Sequence, residues 1–364
     1  MAKIIVIGCG MVGKTIATDL SKRHKVTAAD ISQVSLNVLS NKIKTILLDG
    51  EKGSIQKAVK GFDLAICAVP GFIGFETLKS IIEAKVNVVD ISFFPENALE
   101  LDELAKKNGV IAAVDMGVAP GLSNLILGHH DASLGINAFE CLVGGLPAEH
   151  STYKAPFSPI DVIQEYLRPV RMRENGKDVI KEALSEPELV KLPGVGTLEA
   201  FNTDGLRSLL HTMPHIPNMR EKTLRYPGYR DQILFMIEHG FFSDKNINFT
   251  SKILFDKWKL TPEDDEFTVM RVKITVDIHE QYQHIWRLYD ETDNTTRTSS
   301  MSRTTGYTCC AVAEAILAEM WTTTGIIPGE LLGADKSVFN CVLSFLKCKG
   351  VKIDYIFTGK NVWT

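Results

Sequence analysis

Short apolar runs alternate with amphipathic segments along the first third of the chain. The first run, Ile4 to Ile7, is continuous and β-branched, which is typical of a strand buried on both faces of a parallel sheet. Further apolar runs follow at residues 25–29, 45–48, 64–69, 86–90 and 110–114. Segments with apolar residues at helical spacing lie at residues 15–22, 54–60, 75–84 and 98–108. This alternation predicts an α/β fold with a doubly wound parallel sheet.

The regular alternation ends near Met116 and gives way to a mixed pattern. We predict a loop running into a helix at 117–124, a strand at 139–143 closed by 144–147, and loop-rich chain at 157–199. Strands of antiparallel character are predicted at 267–278 and 285–289. A loop at 295–308 and an apolar helix at 308–321 are predicted to follow. This pattern predicts a second domain of the α+β class. The late apolar helix is expected to pack back on the first domain.

A glycine-rich turn, Gly8-Cys9-Gly10-Met11-Val12-Gly13, connects the first strand to the first helix. Asp30 ends the second strand, 17 residues after Gly13. The order strand, G-x-G-x-x-G, helix, strand, acid is that of a dinucleotide-binding fold. Gly8 would permit the tight turn, Gly10 the approach of a pyrophosphate, and Gly13 close packing of helix on strand. The pyrophosphate would bind the free N–H groups at the helix start, where the helix dipole favours negative charge.

Asp30 indicates which cofactor binds. Its carboxylate would accept hydrogen bonds from the adenosine ribose hydroxyls and repel a 2′-phosphate, so NAD is favoured over NADP. Ligands of such sheets lie beyond the carboxyl ends of the strands. We therefore predict cofactor contacts at Gly8, Gly10, Met11, Val12, Gly13, Asp30, Ile31, Asp49, Ala68, Val69, Pro70 and Asp90. The alternatives are an ordinary surface acid at Asp30, a loop acid at Asp49 and a plain strand end at Ala68 to Pro70.

The composition limits the classes of protein to which the chain can belong. Of its 364 residues 45% are hydrophobic and 23% charged, and its net charge of −4 argues against a nucleic-acid platform or a polybasic membrane surface. No apolar stretch reaches the roughly 20 residues that span a bilayer, and glycine interrupts the amino-terminal run too early for a secretory signal. The seven cysteines show no C-x-x-C spacing, and the adjacent His129 and His130 do not share a helical face. We therefore expect reduced thiols, no metal site and a cytoplasmic protein.

Candidate groups for substrate chemistry lie in two later segments. Residues 194–205 mix glycines with polar side chains and fit neither helical nor strand spacing, so we predict a site loop that offers Glu199, Thr203 and Asp204. Arg225, beside Tyr226, could bind a substrate carboxylate through two parallel hydrogen bonds. The alternatives are solvated carboxylates, a surface ion pair for Arg225 and a packing aromatic for Tyr226.

Two further positions carry candidate roles. Asp115 follows a predicted strand whose end should face the ligand, so Asp115 and Glu199 are the candidate acid–base groups. Arg303 precedes the late helix and is a candidate for substrate binding, although its segment, with Thr304 and Thr305, also fits a simple helix cap.

Five motifs together resemble the saccharopine dehydrogenase family over nearly the whole chain. They are the glycine turn at 8–13, Gly117–Asn124, Gly196–Phe201, Leu224–Gly228 and Arg303–Tyr307. The resemblance implies a Rossmann domain, an α+β substrate domain, a carboxy-terminal helix that returns to the first domain, and NAD(P)-linked oxidation or reduction at an amine carbon. It also implies that Arg225 binds the substrate carboxylate and that Pro120 and Gly121 belong to a site loop.

Ala119 bears on the branch of this family. The saccharopine-forming reductases carry an aspartate directly before the proline-glycine pair, whereas this chain has Ala119, which resembles the branch that deaminates lysine. We therefore expect NAD-dependent oxidation of the amine carbon of lysine through an imine to a semialdehyde, with Asp115 or Glu199 accepting the amine proton. The first alternative is a saccharopine or carboxy-polyamine reductase, with a second arginine at Arg207 or Arg303. The second alternative is a non-catalytic NAD(H)-binding regulator.

These observations divide the chain into two predicted domains. Residues 1–118, with 304–364 packing back on them, are expected to form the dinucleotide-binding domain. Residues 119–303 are expected to form the substrate and dimerisation domain. The expected partners are a small amino-acid substrate and a second copy of the chain, paired across a two-fold axis.

Overall fold

The computed structural model describes residues 1–49, 53–150, 153–261, 263–276 and 282–359. The chain divides into two units, each described separately below. The first unit comprises Met1–Ala132 and Ser302–Val351, and the second comprises Ser133–Met301 and the chain from Lys352 onward.

Strands and helices alternate through the first 132 residues, as the apolar pattern predicts. These elements are β1 (Lys3–Ile7), α1 (Met11–Leu20), β2 (Lys25–Asp30), α2 (Gln33–Asn37), β3 (Lys44–Leu47), α3 (Ser54–Val59), β4 (Leu64–Cys67), α4 (Gly71–Glu83), β5 (Asn87–Asp90), a 3₁₀ helix at Ala98–Leu101, α5 (Asp102–Asn108), β6 (Ile111–Val114) and α6 (Leu122–Asp131).

Strands dominate the next part of the chain. These elements are β7 (Ala138–Pro147), α7 (Pro159–Leu167), β8 (Val170–Glu174), β9 (Lys177–Lys181), β10 (Glu188–Leu192), β11 (Gly196–Asn202), α8 (Leu209–Thr212), β12 (Asn218–Arg225), α9 (Tyr229–Glu238), α10 (Ile247–Trp258), β13 (Glu266–Thr275) and β14 (Gln283–Glu291).

The last part of the chain contributes to both units. Its elements are α11 (Ser300–Leu317), β15 (Gly325–Pro328), α12 (Gly329–Ala334), α13 (Lys336–Cys348) and β16 (Lys352–Thr358).

A parallel seven-stranded sheet forms the centre of the first unit, in the order β15-β6-β5-β4-β1-β2-β3. Its inner strands are buried on both faces, which explains their continuous apolar sequences. The predicted α/β fold class with a doubly wound sheet is thereby confirmed. Because β4, β1 and β2 are neighbours, the turn after β1 lies beside the carboxyl ends of β4 and β2.

A nine-stranded mixed sheet forms the second unit. Seven strands follow the order β10-β11-β12-β7-β13-β14-β16, and β8 pairs with β12 and with β9. The β12–β7 pair is parallel and the remaining pairs are antiparallel. Arg225 ends β12 and lies opposite Glu199 of β11 in the strand register.

Four segments predicted as irregular are regular in the structure. The predicted site loop at 194–205 contains β11, residues 144–147 continue β7, the loop-rich stretch at 157–199 contains α7 and β8 to β10, and the loop at 295–308 contains the first turns of α11. The predicted strand at 267–278 corresponds to β13, and its residues 277 and 278 lie outside the described residues, as do residues 360–364.

Local chemistry explains two of these corrections. In β11, Leu198 and Ala200 are buried while Thr197 is exposed, which is the alternation of a strand, but the glycines around it resemble a loop. In α11, Thr308 Oγ1 donates to the carbonyl oxygen of Thr304 at 2.8 Å. Hydroxyl side chains that favour loops in isolation are therefore satisfied inside this helix.

The unit boundaries differ from the predicted domain boundaries at α6 and at β16. The helix α6 belongs to the first unit because Gly128 lets it approach the backbone of Glu330 in α12, where a Cβ would collide. The strand β16 belongs to the second unit because it pairs with β14 over seven residues. None of the described helices has the length and apolar character needed to cross a bilayer.

A buried carboxyl group caps the start of α11. Glu266, at the start of β13, is 2% exposed, and its Oε1 accepts a hydrogen bond from the Met301 amide at 2.7 Å. Among the described residues, its Oε2 has no hydrogen-bond partner. Burial raises the pKa of Glu266 to about 8; the Met301 amide opposes this shift and nearby Asp290 adds to it.

Replacing Glu266 with glutamine should stabilise the protein at alkaline pH. When an acid has a higher pKa in the folded chain than in the unfolded chain, it contributes to the free energy of unfolding. This contribution is fully present below the unfolded pKa and is lost as the pH rises through the folded pKa. The advantage of Glu266→Gln should therefore grow between about pH 5 and about pH 8, reaching about 2–5 kcal/mol. Denaturant unfolding across this range measures it. The exposed Glu263→Gln is the control, and a pH-independent difference would contradict the expectation.

Candidate functional site

The glycine turn after β1 has the geometry that a dinucleotide requires. Gly8 has φ +92°, and a Cβ there would collide with the carbonyl oxygen of Ala68. A Cβ at Gly13 would collide with the carbonyl oxygen of Gly8, so the close packing of α1 on this turn depends on glycine. At Gly10, in contrast, no described protein atom lies within 4 Å of the position that a Cβ would take. The N-terminus of α1 therefore offers an open cradle that fits a pyrophosphate.

Asp30 fastens this turn to the end of β2. Its Oδ2 accepts the Cys9 amide at 2.6 Å, and its Oδ1 accepts the Ser32 amide at 2.7 Å. A carboxylate has further lone pairs, so these bonds leave it able to accept ribose hydroxyls. Ile31 beside it is 71% exposed, where an adenine ring would find an apolar contact.

The other predicted cofactor positions differ in accessibility. Ala68, Val69 and Pro70 are half-buried and directly follow β4, next to Gly8. Asp49 is exposed just after β3, and Met11 is 39% exposed and Val12 half-buried at the start of α1. Asp90 is fully buried, and its Oδ2 accepts the Ser92 amide at 3.1 Å. The structure thus brings the glycine turn, Asp30 and residues 68–70 together, whereas Asp90 lies beneath the surface.

The loop that contains Pro120 and Gly121 is tightly closed in the first unit. Gly121 has φ +133°, and a Cβ there would collide with the backbone of Gly117. The Gly121 amide donates to Asn124 Oδ1 at 3.3 Å, and Asn124 Nδ2 donates to Glu330 Oε2 at 3.0 Å. Asp115 lies just after β6, is 5% exposed and has φ 59°, a conformation that aspartate tolerates.

A polar cluster surrounds Arg225 in the second unit. The guanidinium is 3% exposed, and its Nε donates to the Tyr166 hydroxyl at 3.0 Å and its Nη1 to the Leu224 carbonyl at 2.9 Å. Its Nη2 lies 3.7 Å from Glu165 Oε2. The guanidinium carbon also lies 5.2 Å from the ring centre of Tyr153. Burial lowers the pKa of Arg225, but Tyr153, Tyr166 and Glu165 raise it more, so the side chain stays charged.

Three tyrosines enclose this guanidinium. Burial raises the pKa of Tyr153, Tyr166 and Tyr229 well above the ordinary value, so all three phenols are neutral and can donate a proton. The Tyr166 hydroxyl neighbours the buried hydroxyls of Tyr153 and Tyr229, and among the described residues neither of these two hydroxyls donates to a carboxylate or a carbonyl oxygen. Buried polar groups are almost always satisfied, by protein, water or ligand. A cation beside neutral hydroxyl donors is the arrangement that an anionic group would complete.

A chain of hydroxyl groups leads to Glu165. Thr203 Oγ1 lies 2.9 Å from Thr223 Oγ1, and the Thr223 hydroxyl donates to Glu165 Oε1. The structure thus brings the predicted Thr203 into the Arg225 cluster. Glu199 lies on the neighbouring strand opposite Arg225, is half-buried, and accepts the Gly228 amide at 3.3 Å through Oε2.

The remaining predicted substrate residues have other contacts. Asp204 accepts two hydrogen bonds from the Arg171 side chain, at 3.0 and 2.7 Å, which position β8. The Tyr226 hydroxyl donates to the Pro147 carbonyl at 2.8 Å. Arg303, in the first unit, donates from Nη2 to the Lys349 carbonyl at 2.9 Å, just beyond α13. None of these three contacts involves the Arg225 cluster.

Sequence reasoning missed Glu165, Tyr153 and Tyr166. Two of them lie on α7, where Val162, Ile163 and Tyr166 share a buried face. The Ser158-Pro159 start and this spacing would have indicated a helix. No local signal indicates that α7 contacts the end of β12, about sixty residues later in the chain.

The glycine turn on a parallel sheet is that of a dinucleotide-binding protein, and a second unit with a buried arginine cluster follows it in the chain. Comparison with known families agrees. The model of the saccharopine dehydrogenase NADP binding domain matches residues 4–113, and that of the saccharopine dehydrogenase C-terminal domain matches residues 117–351. The chain belongs to the saccharopine dehydrogenase family, which confirms the resemblance.

Curated relatives are similar over part of their length. Saccharopine dehydrogenase [NADP(+), L-glutamate-forming] of Schizosaccharomyces pombe is 27% identical over 67% of this chain and 59% of the relative. The mitochondrial alpha-aminoadipic semialdehyde synthase of Rattus norvegicus is 26% identical over 65% of this chain and 28% of the relative. The chain thus spans less than two thirds of either relative.

Solved structures share the fold. Apo saccharopine dehydrogenase (L-Glu forming) from Saccharomyces cerevisiae matches with a TM-score of 0.77 and 17% identity, over 98% of this chain and 100% of that one. Homospermidine synthase from Legionella pneumophila, in complex with NAD, matches with a TM-score of 0.72 and 11% identity, over 100% and 94%. At these identities the likeness concerns the fold alone.

Proposed function

We propose that this protein is a pyridine-nucleotide-dependent oxidoreductase that acts on the carbon–nitrogen bond at the ε-carbon of a lysine-derived amino acid. Saccharopine is the first substrate candidate. The observation that carries the proposal is the buried, charged Arg225 guanidinium, surrounded by the neutral phenol groups of three tyrosines. Such a cluster suits a carboxylate, which every amino-acid substrate carries. Membership of the family adds the chemistry at an amine carbon.

The residues of both units have distinct tasks in this proposal. The N-terminus of α1, left open at Gly10, would bind the pyrophosphate, and Asp30 would bind the adenosine ribose. When bound, the nicotinamide ring supplies the position that accepts or returns a hydride. Arg225 would hold the substrate carboxylate and so fix the distance of the reacting carbon from it. Glu199 or Asp115 would accept the proton that the amine releases.

Two substrates remain candidates because they share the oxidised carbon. Saccharopine is favoured by the names of the curated relatives. Lysine itself is favoured by Ala119, which occupies the position of an aspartate in saccharopine-forming reductases. The difference between them is the group on the ε-nitrogen, either hydrogen or a second amino-acid skeleton.

Turnover assays decide between the two. Purified protein is incubated with saccharopine or L-lysine and with NAD or NADP, and the absorbance of the reduced nicotinamide is followed. Turnover of saccharopine supports the first candidate, and turnover of lysine alone supports the second. Tight NADH binding without turnover of either would favour the non-catalytic regulator and contradict the proposal.

Asp30 should make NAD the preferred cofactor, although the matched family model is described as NADP-binding. Replacing Asp30 with serine removes the charge that repels a 2′-phosphate, so the ratio of affinities for NADPH and NADH should rise by about tenfold or more. Fluorescence titration measures both affinities. Asp63→Ser is the matched control, because Asp63 also accepts a backbone amide, that of Lys3 at 2.7 Å. An unchanged ratio in Asp30→Ser would contradict the assignment.

A further inference from the structure

We infer that Glu165 and Arg225 together form a two-charge site for the amino-acid head of the substrate, in which Glu165 binds the α-ammonium group. The inference deepens the proposed function and rests on it, because it assumes that Arg225 binds the α-carboxylate. It assigns a specificity-determining role to a residue outside the motifs of the sequence.

The distance between the two charges is the first observation. Glu165 Oε2 and Arg225 Nη2 are 3.7 Å apart, which exceeds the range of a hydrogen bond. Their side chains are 12% and 3% exposed. A buried ion pair offsets its desolvation only when hydrogen bonds satisfy both groups, and no direct hydrogen bond joins the nearest atoms of this pair, so each charge can still bind a ligand group placed beside it.

The fixed orientation of Glu165 is the second observation. Its Oε1 accepts the Thr223 hydroxyl, which also contacts Thr203. This anchor directs Oε2 toward the guanidinium. The acid is therefore held in place by the Thr223 hydroxyl, which Thr203 contacts in turn, and is not held by Arg225 alone.

The chemistry of the ligand follows from the two charges. A simple carboxylate bound to Arg225 would lie close to the negative Glu165, and like charges at this separation repel strongly in a buried site. An α-amino acid avoids this repulsion because its ammonium and carboxylate groups are bonded to the same carbon atom. Glu165 would receive the ammonium while Arg225 and the tyrosine hydroxyls receive the carboxylate. The pair thus selects zwitterionic heads over plain carboxylic acids.

The test uses two ligands that differ only in the α-ammonium group, L-lysine and 6-aminohexanoate. Calorimetry in the presence of NADH, which prevents oxidation, measures both dissociation constants for the wild type and for Glu165→Gln. We expect the wild type to prefer lysine by about tenfold or more, and we expect this preference to vanish in the variant. Glu182→Gln, which neutralises an exposed acid in the same unit, should keep the wild-type ratio.

The ratio separates recognition from a structural role. If Glu165 only supported the fold or the position of Arg225, Glu165→Gln would weaken both ligands equally and leave their ratio unchanged. That result overturns the inference, as does a wild type that binds neither ligand or binds both equally. Failure of the proposed function is seen separately, as absence of turnover with saccharopine and lysine.

Discussion

Replacing Arg225 with glutamine is expected to lower kcat/KM for the amino-acid substrate by about 10²- to 10³-fold, chiefly through a higher KM. Glutamine cannot supply the charge that a carboxylate needs, and it leaves Glu165 and any bound carboxylate uncompensated in a buried site. The loss corresponds to about 3–4 kcal/mol of binding free energy. Initial rates over a range of substrate concentrations measure it, and NADH affinity should remain that of the wild type.

Arg220→Gln is the matched control for this result. Arg220 lies on the same strand as Arg225, with its side chain on the opposite face, and its Nε donates to the buried Glu140 at 2.7 Å. Removing it takes away a partner of the buried Glu140 carboxylate, so stability should fall while kcat/KM changes little. If both variants lost activity in proportion to stability, Arg225 would be a structural residue.

Replacing Gly10 with alanine is expected to weaken cofactor binding by about tenfold or more without destabilising the protein. Gly10 has φ −66° and ψ −164°, which an L-residue can adopt, and no described protein atom would touch the new methyl group. The free energy of unfolding should therefore stay within about 1 kcal/mol of the wild type. The methyl group instead occupies the space through which the pyrophosphate approaches the start of α1. Fluorescence titration with NADH and thermal unfolding measure the two quantities.

Two other glycine variants serve as controls for this expectation. Gly135→Ala has equally open surroundings but lies in the second unit, so it should change neither binding nor stability. Gly13→Ala meets the carbonyl oxygen of Gly8, so it should reduce both. Normal NADH affinity in Gly10→Ala would mean that the cofactor does not approach this turn.

The first unit was predictable because its signals are local. A buried parallel strand requires a continuous apolar run. Within six residues, the glycine turn has two positions, Gly8 and Gly13, at which a Cβ would collide with backbone, and one, Gly10, at which a Cβ would meet open space. Asp30 is found by its spacing from that turn. Its bonds to the Cys9 and Ser32 amides, however, depend on the strand order and are not visible in the sequence.

The Arg225 cluster was only partly predictable because its members are distant in sequence. Arg225 and Thr203 carry polar groups in suggestive motifs, but Tyr153 and Glu165 join them only through tertiary contacts with Arg225 and Thr223. Asp204 shows the converse, since its loop-like surroundings suggested a ligand group and the fold satisfies it with Arg171. Residue type indicates which chemistry is available, whereas tertiary contacts decide which groups remain unsatisfied.

The return of β16 to the sheet of the second unit has a consequence for synthesis on the ribosome. The chain passes from one unit to the other three times, near residues 132, 301 and 351. The first unit lacks β15 until the chain has passed residue 328, and the second lacks β16 until it has passed residue 358. Neither unit is complete when its first segment has emerged, so the two must finish folding late and nearly together. Cutting the gene at the crossing near residue 301 would leave the first product without the last strand of either sheet.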